Sequence, residues 1–73
     1  MEQFNVYVLT VADKEGIFFA GSYSTKEEAK EDAAHWFGNK GLCDWHKSTA
    51  NAISAAILDI EGRATITPAT FSI

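Results

Sequence analysis

Residues 24–38, STKEEAKEDAAHWFG, constrain this chain more than any other stretch, because a complete amphipathic helix is written there with both ends marked. Thr25 can cap the start through its hydroxyl, with Glu28 three residues on, and Ser24 with Glu27 offers the same pairing one residue earlier. Glu27, Glu28, Glu31 and Asp32 crowd the first turns, where the positive end of the helix dipole favours acids. Ala29, Ala33, Trp36 and Phe37 fall at i, i+4, i+7 and i+8 and form one apolar stripe. Small residues in that stripe let the helix lie close to a sheet, and Trp36 and Phe37 are expected to be the buried anchors. Gly38 is expected to end the helix in the left-handed conformation that glycine adopts without a side-chain clash.

The flanking segments read as β-structure. Residues 4–11, FNVYVLTV, are β-branched and aromatic, with Phe4, Val6 and Val8 on one face and Tyr7, Leu9 and Val11 on the other. Both faces are apolar, which places this strand in the centre of its sheet or beneath a second cover. A polar loop, ADKEG, leads into a returning strand at 17–22, IFFAGS, in which Gly21 marks a bulge or a close approach of the helix. Residues 39–47 have no period and are expected to be an irregular loop with at most one helical turn. The stretch 48–60 fits helix or strand. A strand over 55–60 is preferred, because it runs through Glu61 and Gly62 into 63–67, RATIT, as a hairpin. Pro68 ends that second strand or places it on an edge, and residues 69–73 add a short apolar tail.

The expected fold is therefore α+β and a single domain, residues 1–73. A hairpin, a helix and a second hairpin give an antiparallel sheet of about four strands with one helix packed on one face. The other face, with Tyr7, Leu9 and Val11 or their neighbours pointing to it, is then only partly covered. A chain of this length supports about 3–5 kcal/mol of net stability without a staple. Its single cysteine, Cys43, allows no internal disulfide.

Charge excludes one class of function. The formal net charge is −4, and the five lysines and one arginine are scattered. A phosphate-backbone binder needs them clustered, so direct nucleic-acid binding is disfavoured. No apolar run approaches membrane-spanning length, and MEQFNVYV lacks the basic flank and cleavage site of a signal peptide. With one free thiol, a cytoplasmic location is expected.

Residues 43–46, Cys-Asp-Trp-His, hold the densest chemistry. A thiol nucleophile needs a base within hydrogen-bond reach and a group to orient that base. The pattern matches no such signature, and Cys43 reads as a small half-buried hydrophobe. His35, Cys43 and His46 have no metal-ligand spacing, so neither a metal nor a cofactor is assigned. His35 in the last helical turn reads as the partner of Glu31.

The aromatic residues are too many for a small one-sided core, and tryptophan and tyrosine dominate interface hot spots. A protein-binding function is therefore expected. Its contact surface is the first strand and the loop 42–47: Tyr7, Leu9, Leu42, Trp45, His46 and Lys47, with Tyr7 and Trp45 as anchors. Two alternatives stand beside it. In one, Glu27, Glu28 and Glu31 mimic nucleic-acid phosphates. In the other, the Cys43/His46 loop serves a small enzyme or metal protein. A homodimer paired through the uncovered sheet face is a third arrangement.

In size, acidity, its lone cysteine and its hairpin–helix–hairpin layout the chain resembles the small proteins that phages encode to disable or redirect host machinery. Inhibitors of host RNA polymerase and anti-CRISPR proteins are among them. The resemblance implies a non-enzymatic regulator whose partner is a subunit of a host nucleic-acid-processing complex, RNA polymerase first. It transfers no role to any individual residue.

Overall fold

A computed structural model describes residues 2–49 and 51–72. Among these residues five strands form one antiparallel sheet: β1 (Gln3–Asp13), β2 (Gly16–Tyr23), β3 (His46–Lys47), β4 (Ile53–Ile57) and β5 (Gly62–Ser72). Helix α1 (Lys26–Phe37) lies between β2 and β3 in the chain, followed by a 3-10 turn, Gly38–Lys40. The spatial order is β2-β1-β5-β4-β3. The expected α+β class and single helix are present, but the sheet has five strands rather than four. The fifth is the two-residue β3, too short for a sequence pattern to announce.

The first and last long strands pair along nearly their whole length, Gln3 with Ser72 through Ala12 with Arg63. This pairing makes β1 and β5 interior strands of the sheet. β4 begins two residues earlier than expected, at Ile53, and residues 58–61 form the turn into β5. β5 runs straight through Pro68, which pairs with Tyr7. Its other neighbour, β4, pairs no further along β5 than Ile66. Pro68 thus sits where that side of the strand is already free and its missing N–H costs no ladder bond.

Thr25 caps α1, its Oγ1 accepting the Glu28 N–H at 3.1 Å. The other end departs from expectation. Gly38 is right-handed (φ −55°, ψ −44°) and continues into the 3-10 turn. Gly41, at φ 83°, takes the left-handed position instead. Three further residues of tight coil therefore separate the helix from its true stop.

The core lies between α1 and one face of the sheet: Leu9, Val11, Ala29, Ala33, Ile57, Ala64 and Ile66, none more than 1% exposed. Ala29 and Ala33 meet it without intervening bulk, as the small-residue stripe requires. Strand register places Leu9 beside Ile66, Val11 beside Ala64 and Ile66 beside Ile53, so these side chains share the covered face. That corrects the assignment of faces in β1. Tyr7, Leu9 and Val11 lie under the helix, and Phe4, Val6, Val8 and Thr10 line the open side.

Trp36 is also corrected: it is 60% exposed, whereas Phe37 is half-buried against the core. The reason is its position on the helix. Trp36 is one turn after Asp32, whose carboxylate accepts a hydrogen bond from the Tyr23 hydroxyl of β2. β2 is an edge strand. A large side chain on that side of the helix reaches past the last strand and finds no sheet beneath it.

Substitutions should follow this geometry. Leu9→Ala is expected to cost about 2–5 kcal/mol, and Trp36→Ala about 1 kcal/mol or less, in urea melts. A Cβ on Gly62 would lie 2.5 Å from the Ala12 carbonyl oxygen and 3.0 Å from Ile60 Cδ1. Gly62→Ala should therefore cost about 1–3 kcal/mol, because backbone as well as side chain must move.

The Tyr23 phenol is pushed up to about 12, first by its hydrogen bond to Asp32, then by desolvation and by the carboxylate's charge. The unfolded phenol titrates near ~10. Its pKa is raised on folding, so its contribution to stability is complete below that pH and is lost as pH climbs toward 12. Melting temperature measured across that window should fall more steeply for the parent than for Tyr23→Phe. Parallel slopes would show that the bond contributes nothing.

Candidate aromatic interface

A groove of about 330 Å³ opens between the C-terminal end of α1 and the start of β2, lined by Leu9, Phe18, Phe19, Trp36 and Phe37. Every side chain in that lining is apolar. Leu9 is its buried floor, and Phe18, Phe19 and Trp36 stand around it 55%, 37% and 60% exposed. At about 150–250 Å² per aromatic side chain, these three present on the order of 300 Å² to solvent. A contiguous apolar patch of this size on a small domain commonly marks an interaction site.

Local sequence explains why the aromatics gather here. β2 pairs with β1 in regular register from Tyr23 back to Phe19, opposite Val11. The next pair is Ala12 with Ile17, so Phe18 is an extra residue opposite nothing. Gly21, expected to mark a bulge or a close approach of the helix, instead pairs regularly with Leu9, and the bulge lies three residues earlier in the strand. The bulge lets Phe18 and Phe19 both line the groove, which strict alternation in a flat strand forbids. Over Gly21 lies the Tyr23 side chain, whose hydroxyl would be 3.2 Å from an added Cβ. On the helix side, the imidazole of His35 meets the Trp36 indole edge-on, with centroids 5.4 Å apart and planes at 83°.

The surface expected from sequence is dispersed. Leu9 is core and has no side-chain surface to offer a partner, although it floors the groove. Tyr7, Leu42 and Trp45 are half-buried and pack against the core cluster. Leu42 bridges to Ile57, at the opposite side of the sheet from β2. His46 and Lys47 are exposed and form β3, the far edge. The expected contact residues therefore lie partly under the helix and partly at the far edge, and no single face gathers them. The aromatic set that is gathered, Phe18, Phe19 and Trp36, lies outside the surface expected from sequence. One signal did point to it: three consecutive apolar residues, Ile17, Phe18 and Phe19, cannot all face one core from a strand of period two.

Glu27, Glu28 and Glu31 are exposed as expected. In the loop, the half-buried thiol of Cys43 lies 3.8 Å from the Gly41 carbonyl oxygen, and the His46 ring reaches the Asp44 carbonyl oxygen at 3.4 Å. Among the described residues no hydrogen bond joins Cys43 to His46, and no group of three or more His, Cys, Asp or Glu side chains is placed to hold a metal ion. No helix among them is long and apolar enough to cross a membrane.

The open face of the sheet carries a second, smaller apolar feature, Phe4 and Phe71 paired across β1 and β5 and 45% and 55% exposed. It is the face on which self-pairing was expected.

Comparison with known proteins matches this chain to no family model, no curated protein and no solved structure.

Proposed function

We propose that this protein acts by binding another protein, and that the partner sits in the groove formed by Phe18, Phe19, Trp36 and Phe37. The observation that carries this reading is the exposure of three large aromatics around one wholly apolar hollow. Such side chains lose much hydration at low entropic cost when a partner covers them, and interface hot spots are built from them.

Charge supplies the class of partner. The chain is acidic, with Glu27, Glu28 and Glu31 exposed on the helix that walls the groove. Acidic surfaces are drawn to the basic ones that normally hold nucleic acid. The protein thus inhibits or redirects a nucleic-acid-processing complex in the cytoplasm, a subunit of RNA polymerase being the leading target. Mimicry of nucleic-acid phosphates by the three glutamates is the second reading, supported by their joint exposure.

Capture of a partner from lysate on the tagged protein tests both. Binding should fall at least tenfold with Trp36→Ser, hold with a Trp45→Ala protein shown by its melt to be folded, and weaken in part with Glu27, Glu28 and Glu31 all changed to Gln. Abolition by the triple variant alone assigns the site to the acidic helix. If no variant weakens binding and the protein sediments as a dimer, the proposal fails.

A further inference from the structure

We infer that the free edge of β2 takes up an extended segment of the partner as a sixth strand, and that this segment carries an apolar residue followed along one face by basic ones. The inference rests on the protein-binding reading above and names the partner's chemistry.

The two edges of the sheet are built differently. β3 is two residues long and ends in Lys47, a short charged edge of the kind that resists further pairing. β2 is eight residues long, GIFFAGSY, with no charge and no proline, and among the described residues its one strand neighbour is β1. Its outer N–H and C=O groups are a template for another strand, and the bulge at Phe18 confines the regular template to residues 19–23.

Direction follows from two observations. Asp32 accepts the Tyr23 hydroxyl at the end of β2, and Trp36 walls the groove that Phe18 and Phe19 line near its start. The helix therefore runs opposite to β2, with Glu28, Asp32 and Trp36 in one row above its outer side, four residues apart. Each step in that row is about 6 Å at ~1.5 Å per residue. Two residues of an added strand cover about 6.6 Å and return to the same face. An apolar residue seated in the groove thus puts the second and fourth residues along at the level of Asp32 and Glu28. Glu28 is exposed, and the Asp32 carboxylate retains acceptor capacity beyond its bond to Tyr23. Lysine or arginine satisfies both positions.

A second copy of this chain fits less well. Antiparallel pairing of β2 with itself would set the aromatic end of one copy against the acidic end of the other, and β2 brings no basic residue to meet it.

The probe is a labelled seven-residue peptide with isoleucine second, lysine fourth and sixth, and threonine elsewhere, made also in reversed order because either strand direction is allowed. Anisotropy should show one order binding, with slowed hydrogen exchange at the outward amides of residues 19–23. Affinity should fall at least tenfold when glutamate replaces the lysines, when alternate peptide nitrogens are methylated, and with Trp36→Ser. Equal binding by the methylated peptide overturns strand addition while leaving the groove reading intact. Binding indifferent to Trp36→Ser overturns the groove itself. If neither order binds, the inference fails; β2 amides already protected in a sedimenting dimer would then identify the occupant as a second copy, and lysate capture would still decide the protein-binding reading.

Discussion

The close approach of Ala29 and Ala33 to Leu9, Val11, Ala64 and Ile66 is the contact on which this structure depends. A sheet this small cannot bury a thick layer of large side chains, so the helix is held down by residues that add no bulk between backbone and sheet. Most of the burial then falls on a few branched residues of the central strands. Removing one of them leaves a cavity that little else can fill.

That closeness also decides where the aromatics go. With the helix lying low, a large residue at its flank cannot tuck beneath it. On the inner flank Phe37 finds partial cover, and on the outer flank Trp36 passes the sheet's edge. The Phe18 bulge turns two phenylalanines toward the same place. The groove follows from a thin core beside an edge strand, and the Tyr23–Asp32 bond fixes the two walls relative to each other.

Pairing of the first long strand with the last closes the sheet around its centre and leaves two unlike edges. One is short and carries Lys47. The other is long, uncharged and next to the exposed aromatics. The acids stay on the helix, close enough to the open edge to select what approaches it and outside the strand itself.

The helix, its Thr25 cap, the alanine stripe, the exposure of its glutamates and the two-sided character of β1 were legible in the chain, because each depends on local periodicity or on capping chemistry within a few residues. The α+β class followed from the order of those elements. Tertiary structure alone decided the rest. Which face of β1 the helix covers depends on register with β5, which begins some fifty residues later in the chain and has no local signature. Whether Trp36 is buried depends on which strand lies at the edge, and helical spacing is blind to that. Left-handed Gly41 in place of Gly38, and β3, exist because the 3-10 turn and the bridge from Leu42 to Ile57 bring the loop back to the sheet. The groove joins residues seventeen to nineteen positions apart through a bulge and a helix flank, so only packing could place them together.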